Sequence, residues 1–307
     1  MSSSWVVVRC LSDYPLFYIV KYNPTPMTIS PRVLLSIDYE PVFALFRHYD
    51  RITDVKTRRD MDGGFTLRAL DPILEQLSES KASIYLVGEI AEWYPKVPQK
   101  IVAAGHELGL HCQFHRPLVN VSQLAHDLRD SSAWCKQYQV QGYRAPMIGI
   151  SEDAYPLLES FGFRYSSSIY APAGTLLKKG NVWEIPVSTR RMRDAHENYV
   201  APRDFSFKLL LNGEFPYGSS FSIGLMARRI LSIIEDELKR GQSPVIIMHP
   251  YELVSPGSSL RLTRDLIRNP LFVPFLWDKS PFLRDLLLNF PVSPLGTYLE
   301  EIVASNE

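Results

Sequence analysis

The sequence has few cysteines, no excess of either charge and no long apolar segment. Three cysteines among 307 residues, Cys10, Cys112 and Cys135, are an odd number without regular spacing. A disulfide framework is therefore not expected, and a reducing compartment is permitted. The 33 basic and 33 acidic residues give a formal net charge of zero. This balance offers no electrostatic reason to expect binding to nucleic acid or to an anionic membrane surface.

The chain also lacks the signals of membrane insertion and secretion. No apolar run approaches the roughly 18 to 20 residues that a spanning helix requires. The amino terminus has no basic region followed by a clean apolar core and a small-residue cleavage site, so we expect a cytoplasmic protein. Residues 1–30 mix aromatic residues and prolines without a period and are interpreted as an amino-terminal extension. Met27 is an alternative start, and a short arm packed on the domain is the other possibility.

Two histidines four residues apart are the first chemical signal. His111 and His115 follow a short apolar run, and a helical turn at that point would place both imidazoles on one face, within reach of one cation. Taken alone, the pair also fits a surface or capping role. Cys112, between them, would point away from that face and is interpreted as a packing residue.

Two acids at the end of a predicted buried strand are the second signal. Asp38 and Glu40 follow the apolar run that begins at Val33, and residues two apart in an extended chain point the same way. Two carboxylates that share one space repel each other unless a cation or a proton intervenes, so a metal ion is a natural partner. A capping Asp beside a solvated Glu is the alternative.

Two further apolar runs end in reactive side chains. The run before Tyr143 leads to Arg144, and the run that begins at Val245 leads to His249. Each residue alone fits an ordinary ion pair or a buried histidine. In a parallel α/β protein, however, such strand ends converge on the carboxyl edge of the sheet, where sites are built.

These motifs, in this order, resemble those of the polysaccharide deacetylases with a NodB homology domain, also called carbohydrate esterase family 4. The resemblance rests on segments 36–40, 105–115, 143–146, 182–188 and 248–250. The Asp-x-Glu form of the first motif is most similar to a branch found in exopolysaccharide and cell-wall gene sets. The resemblance implies a distorted (β/α)7 barrel over residues 31–290, followed by a carboxy-terminal tail at 291–307. Tyr39 departs from the commoner motif, in which a second aspartate follows the first.

The resemblance also implies roles for individual residues. Glu40, His111 and His115 would hold one divalent ion, zinc first, with cobalt or nickel as alternatives. Asp38, oriented by Arg144, would be the general base, and His249 would be the general acid. The implied substrate-binding residues are Tyr39, through its backbone N–H, Pro146, Trp183 and Tyr251. For Trp183 and Tyr251, a position in the core is the alternative.

The implied activity is removal of N-acetyl groups from an amino-sugar glycan or glycan precursor. Two other functions stay open: hydrolysis of small cyclic amides or ureides by a NodB-like relative, and glycan binding without catalysis. Asp60, Asp62, Gly63 and Gly64 fit a substrate loop or, preferably, a solvated turn. The run Arg190, Arg191 and Arg193 fits either a wet surface or a site for an acidic glycan or a lipid-linked sugar phosphate.

Hydrophobic periodicity predicts alternating helices and strands. The predicted helices cover residues 66–80, 89–104 with an interruption near Pro95 and Pro98, 121–138, 152–160 and 224–240. The predicted strands cover 33–40, 82–87, 140–146, 166–170, 182–187 and 245–248. Long loops are expected around 172–180 and 212–218.

Overall fold

Twelve strands are formed by the residues that the structure describes. This structure is a computed structural model, and it describes residues 29–118, 120–192, 209 and 213–305. In chain order the strands are β1 Val33–Tyr39, β2 Ser83–Leu86, β3 Glu107–Leu110, β4 Gly142–Tyr143, β5 Tyr165–Ser166, β6 Tyr170–Pro172, β7 Leu177–Lys179, β8 Val182–Glu184, β9 Val187–Arg191, β10 Glu214–Phe215, β11 Val245–Met248 and β12 Val292–Ser293.

The main sheet is a curled run of parallel strands. Its spatial order is β11-β1-β2-β3-β4-β5-β8, with each neighbouring pair parallel. β7 joins β8 in the antiparallel sense, and β12 pairs in parallel with the start of β1. Seven consecutive parallel strands within the described residues confirm the predicted distorted (β/α)7 barrel.

Helices connect the strands. The α-helices are α1 Val42–Leu45, α2 Val55–Asp62, α3 Phe65–Gln76, α4 Gly88–Trp93, α5 Lys96–Ala103, α6 Val121–Gln137, α7 Ala154–Ser160, α8 Ser220–Lys239, α9 Pro250–Leu253, α10 Leu260–Arg268, α11 Ser280–Asn289 and α12 Leu295–Ala304. Short 3-10 helices lie at His48–Asp50, Pro146–Ile148 and Pro270–Leu276. No helix in the described ranges is long and apolar enough to cross a membrane.

A small second sheet lies between the two ends of the main sheet. It has the order β10-β9-β6. The backbone N–H of Val245 in β11 donates to Ser188 Oγ in β9 at 2.8 Å, and the N–H of Ile247 donates to the Gly218 carbonyl at 2.9 Å. β9 and the turn after β10 thus satisfy backbone donors along the free edge of β11, where unpaired groups would otherwise be exposed.

Burial explains the sequence pattern of the strands. All seven residues of β1 are buried, as expected for a central strand that is covered on both faces. The buried apolar residues form two clusters, one of them including Ile37 of β1 and the other including Leu34 of the same strand. Alternate residues of one strand therefore contribute to different parts of the core.

The structure corrects several predicted boundaries. The predicted helix 89–104 is interrupted at Pro95, as expected, whereas Pro98 lies within the first turn of α5. The predicted strand 182–187 divides into β8 and β9, and the predicted strand 166–170 divides into β5 and β6. The expected loops at 172–180 and 212–218 contain the short strands β7 and β10.

The segments at the two ends differ in how much is described. Of the predicted extension 1–30, only residues 29 and 30 belong to the described part, so Met27 lies outside it. The segment 291–307, which the sequence analysis sets apart as a tail, contributes β12 and α12 to the fold. Leu295 and Leu299 of α12 are buried in the second apolar cluster.

Candidate metal centre and active site

The predicted chemical residues lie at the carboxyl ends of four strands. Asp38 and Glu40 are at the end of β1, and His111 directly follows β3. Arg144 follows β4, and His249 follows β11. Since β11, β1, β2, β3 and β4 are neighbours in one parallel sheet, their ends share one edge. The topology therefore brings these side chains together.

Two of them, Glu40 and His111, form a group with His115 that could hold a metal ion. Each of Glu40, His111 and His115 offers one ligand atom, and these atoms lie within 4.8 Å of one another. His115 Nε2 lies 2.7 Å from Glu40 Oε2, and His111 Nε2 lies 3.6 Å from the same oxygen. Two imidazoles and one carboxylate are a common protein ligand set for zinc with an open position.

The surroundings of the group favour ligation. His111 Nδ1 lies 2.9 Å from the Arg144 carbonyl oxygen, which selects the tautomer with Nε2 facing Glu40. The Tyr251 hydroxyl donates to Glu40 Oε1 at 2.7 Å. Glu40 Oε2 is buried and lies 2.7 and 3.6 Å from the Nε2 atoms of His115 and His111, but neither contact has hydrogen-bond geometry. A cation between this oxygen and the two imidazole nitrogens would satisfy all three atoms, so these residues fit a divalent ion.

The charge balance of Glu40 points the same way. Burial alone would raise the pKa of this carboxyl group, but the nearby imidazoles of His115 and His111, with the more distant His249, hold it well below its usual range. Glu40 is only 2% exposed. It is therefore a carboxylate, the form that binds a metal, in a place where water cannot screen its charge.

The histidine pair reaches this arrangement without the helical turn that would place both rings on one face. Residues 111–115 form an irregular loop, and Cys112 has a left-handed backbone conformation with φ of 55°. The imidazole rings of His111 and His115 nevertheless lie 4.9 Å apart between centroids. Cys112 is fully buried, and burial raises the pKa of its thiol well above the usual value. Its protonated Sγ donates to the Phe114 carbonyl at 3.0 Å, as suits a packing residue.

Asp38 lies beside the candidate metal ligands and is held by Arg144. Its Oδ2 is 3.9 Å from His111 Nε2, and Arg144 Nη1 donates to Asp38 Oδ1 at 3.0 Å. Arg144 Nη2 donates to Ser36 Oγ at 3.2 Å and to Ser167 Oγ at 2.9 Å. The guanidinium group also lies 4.5 Å from the centroid of the Tyr85 ring. Arg144 is fully buried, so its direction is fixed by these contacts.

Glu184, in the motif at 182–188, is linked to the residue after Arg144 by hydrogen bonds. Glu184 Oε1 accepts a hydrogen bond from the Ser168 N–H at 2.6 Å, and Glu184 Oε2 accepts one from the Tyr155 hydroxyl at 3.1 Å. Ser168 Oγ in turn accepts from the Ala145 N–H at 2.8 Å. Glu184 therefore fixes the turn after β5 against the end of β4, next to Arg144.

His249 belongs to a second charged group. Its Nδ1 lies 3.0 Å from Glu252 Oε1, and its ring stacks on Tyr251 with centroids 5.1 Å apart. Burial alone would lower the pKa of His249, but the charge and hydrogen bond of Glu252, with Glu40 and Asp38 further away, raise it to about 9. His249 is therefore protonated at neutral pH, so it can donate a proton.

Two residues of this second group carry no role in the sequence analysis. Glu252 follows His249 by three residues, and that spacing at the start of a helix is the signal that could have found it. Lys279 Nζ lies 3.3 Å from Glu252 Oε1 and donates to the Pro274 carbonyl at 3.0 Å. Only the tertiary fold brings Lys279 to this place.

Comparison with known proteins shows the fold. No family model matches the sequence, and no curated protein matches it. A solved structure described as a putative polysaccharide deacetylase from Mycobacterium smegmatis has 17% identity and a TM-score of 0.52, with 88% of this chain and 95% of that chain covered. The structure of Puue allantoinase has 13% identity and a TM-score of 0.51, with 92% of this chain and 100% of that chain covered. At these identities, the likeness establishes the barrel fold alone.

The four residues predicted to bind substrate have other contacts in the structure. The Tyr39 side chain is fully buried, and its hydroxyl donates to the Thr66 carbonyl. Tyr251 is 2% exposed and donates to Glu40, so it offers no face for stacking on a sugar. Pro146 is buried at the start of a 3-10 helix. Trp183 packs against the second apolar cluster, and the centroid of its ring lies 5.4 Å from Nζ of Lys178 in β7.

Two predicted polar surfaces are also structural. Arg190 pairs with Asp236 at 3.0 Å, and Arg191 lies 3.5 Å from Glu214. Arg193 lies outside the described residues. In the candidate substrate loop, Asp62 is buried and accepts from the Thr66 and Tyr94 hydroxyls at 3.0 and 3.1 Å. Asp62 therefore joins α2 to α3 and does not belong to a solvated turn.

Proposed function

We propose that this chain is a metal-dependent hydrolase that removes N-acetyl groups from an amino-sugar glycan or glycan precursor. One observation carries the proposal. The Glu40, His111 and His115 group has a buried carboxylate, Asp38, on one side and is linked through Tyr251 to a protonated imidazole, His249.

Amide hydrolysis needs these parts. Resonance makes an acetamide carbonyl a poor electrophile, and an amine is a poor leaving group until its nitrogen is protonated. A divalent ion held by Glu40, His111 and His115 would polarise the carbonyl oxygen and lower the pKa of a water molecule. Two histidines and a glutamate suit zinc, while cobalt and nickel also accept this ligand type.

Asp38 is the proposed general base. Its carboxylate accepts the proton of the attacking water as the new carbon–oxygen bond forms. Arg144, through its bond to Asp38 Oδ1, holds the carboxylate in place while Ser36 and Ser167 hold Arg144. A base fixed in this way needs little reorganisation when the proton moves.

His249 is the proposed general acid. When the carbon–nitrogen bond breaks, the imidazolium would donate a proton to the nitrogen, so that a neutral amine and acetic acid are formed. The acid loses its proton to water on release as acetate, and the proton that Asp38 took from the attacking water restores the charge of His249. Glu252 holds Nδ1 at 3.0 Å and leaves Nε2 as the donating atom. The charge of Glu252, which contributes most to raising the pKa of His249, favours the imidazolium before the step.

The first experiment measures metal content and acetate release together. We expect about one equivalent of divalent ion in the wild type, loss of that ion in His111→Ala, and acetate release from N-acetylglucosamine oligosaccharides that stops on chelation. His126→Ala is the matched control, because His126 is an exposed histidine that contacts Arg129. It should keep both the metal and the activity.

Other outcomes separate the alternatives. Bound metal with ring opening of a cyclic amide, and without acetate release, would replace the deacetylase by a hydrolase of cyclic amides or ureides. Glycan binding that survives Asp38→Asn without any turnover would indicate a non-catalytic protein. A folded wild type that binds neither zinc, cobalt nor nickel would refute the mechanism.

A further inference from the structure

One surface segment next to the site exposes unusually large apolar side chains. Within residues 260–277, Leu260 is 89% exposed, Ile267 is 77% exposed and Leu271 is 71% exposed. Trp277, at the end of the segment, is 47% exposed. Single exposed apolar residues are ordinary, but a concentration of them on one segment marks an interaction surface.

The same segment is positively charged. Arg261, Arg264 and Arg268 are exposed on α10, and none of the described residues forms an ion pair with them. The one acid of α10, Asp265, is buried and lies 2.8 Å from His48 Nε2. The side of α10 that faces solvent is therefore apolar and cationic, without an exposed acid.

The helical repeat arranges these side chains in order. Leu260 and Ile267 are seven residues apart and lie on one stripe of α10, while Arg264 and Arg268 are four residues apart on the adjoining stripe. Leu262 and Leu266 are less exposed and lie toward the protein. The outward face thus has an apolar stripe flanked by guanidinium groups.

This segment is fixed directly to the proposed general acid. The Phe275 ring lies 6.2 Å from the His249 ring and 5.4 Å from the Phe221 ring. The Pro274 and Phe275 carbonyls accept hydrogen bonds from Lys279 Nζ, which also contacts Glu252. The segment that carries the apolar and cationic side chains is therefore anchored beside the proposed general acid.

A neighbouring helix extends the exposed apolar surface. Gly224 of α8 lies so close to the segment that an added Cβ would meet the Pro274 carbonyl oxygen at 2.4 Å. The two following residues, Leu225 and Met226, are 50% and 42% exposed. Apolar side chains therefore reach solvent on both sides of this close contact.

We propose that this surface docks on a lipid bilayer that contains anionic lipids. We call it the docking face and define it by Leu260, Arg264, Ile267, Arg268, Leu271 and Trp277. The arginines complement lipid phosphates, the aliphatic side chains enter the headgroup boundary, and tryptophan favours that interface. A net charge of zero for the whole chain does not oppose this, because screening limits such attraction to about 10 Å.

A second copy of the chain fits this face less well. In a two-fold dimer the same patch meets itself, so the interface would gather the arginines of both copies without an exposed acid of α10 to neutralise them. Anionic headgroups offer the opposite charge. If the chain is the deacetylase proposed above, docking would place its site beside amino sugars that are anchored in the bilayer. This statement about the substrate rests on the proposed function, whereas the docking itself does not.

Co-sedimentation with vesicles tests the proposal. We expect the full chain to sediment with vesicles of phosphatidylcholine and phosphatidylglycerol, more weakly at high salt, and much less with phosphatidylcholine alone. The double variant Ile267→Glu/Leu271→Glu should bind at least about tenfold more weakly. Each of Arg264→Gln and Arg268→Gln should cost roughly fivefold. Leu288→Glu is the control, since Leu288 is also 77% exposed but lies on α11.

Three results would overturn the proposal. The first is a wild type that does not bind anionic vesicles, and the second is vesicle binding that the docking-face variants leave unchanged. The third is a wild type that forms a dimer in solution and does not bind vesicles, with the dimer dissociated by Ile267→Glu/Leu271→Glu. Thermal unfolding of each variant shows that the fold is intact. The assay needs neither metal nor acetate release, so its failure is distinguishable from failure of the deacetylase proposal.

Discussion

Tyr251→Phe tests whether Glu40 is a metal ligand that is positioned by its hydrogen bond. The change removes one oxygen atom, the hydroxyl that donates to Glu40 Oε1 at 2.7 Å. Glu40 is 2% exposed, so water has little access to replace this donor. A hydrogen bond to a charged group contributes about 1.5 to 3 kcal/mol. Without it, the carboxylate is free to turn and is no longer fixed with Oε2 toward the two histidines.

The expected magnitude follows from this loss. Removal of a residue that orients a metal ligand commonly weakens binding by about 10- to 100-fold, and 1.4 kcal/mol corresponds to a factor of ten. We therefore expect the Kd for zinc to rise by roughly that factor in Tyr251→Phe. Competition against a zinc-selective chelator measures it. Acetate release at saturating zinc would separate weaker binding from slower chemistry.

Tyr143→Phe is the matched control. Tyr143 is also fully buried, but its hydroxyl has no hydrogen-bond partner among the described residues. Its ring packs against Phe163 with centroids 5.7 Å apart. We expect the Kd of this variant to equal that of the wild type. If both variants bind zinc like the wild type, Glu40 is not a ligand held in the way that we describe.

Three further substitutions test the rest of the site. Arg144→Met should lower the free energy of unfolding by about 3 to 5 kcal/mol, because it leaves Asp38 buried without its partner. Lys100→Met, which breaks the exposed ion pair with Asp71, should lower it by less than about 1 kcal/mol. Urea unfolding of the two variants compares these values. In the metal-free protein, NMR titration of His249 should give a pKa of about 9. The contribution of its charge to the free energy of unfolding is therefore complete below pH 6.5 and is lost as the pH rises through 9. Glu252→Gln should lower this pKa, because the effect of burial is then opposed less strongly. Equal pKa values in the two proteins would contradict the role of Glu252. Gly109→Ala should reduce stability by about 1 to 3 kcal/mol and should also reduce activity, because the new Cβ would meet the Tyr85 ring at 2.4 Å, beneath Arg144. Gly149→Ala, whose new Cβ would have its nearest neighbour at 3.9 Å, should change neither thermal unfolding nor turnover. Equal losses in the two variants would show that the contact with Tyr85 does not cause the effect.

The positions of the strand-end residues could be predicted from the sequence. A buried parallel strand must be apolar along its length, so the first polar residues after the apolar run mark its carboxyl end. This reasoning places Asp38, Arg144 and His249 correctly, each within one or two residues of the end of its strand. The argument uses only local pattern, and β11, predicted at 245–248, has the same bounds in the structure.

The role of Tyr251 could not be predicted in this way. Its aromatic ring suggested a stacking surface, yet its hydroxyl binds Glu40, which is 211 residues away in the chain. Lys279 is a similar case, because it reaches Glu252 only through the packing of the 3-10 helix at Pro270–Leu276. Contacts of this range depend on how elements pack, and the hydrophobic period of a single segment carries no information about them.

The separation of the two histidines that are proposed as metal ligands is a property of the tertiary structure. No helix holds His111 and His115, and the left-handed backbone of Cys112 is unfavourable for a residue other than glycine. The loop keeps this shape because neighbours bind its backbone. The N–H groups of Gly88 and Glu89 donate to the carbonyls of Cys112 and Gln113 at 2.9 and 3.2 Å.

A third anchor comes from α6, where the Asp127 carboxylate accepts the N–H of Gln113. Gln113 is in turn held by its side chain, which donates to Glu92 at 2.7 Å and accepts from Ser131 at 2.8 Å. The distance between the two imidazoles is thus set by α4 and α6, elements that contain no metal ligand. It follows that the spacing of two histidines in a sequence identifies a metal site only when the structures on both sides of the loop fix its backbone.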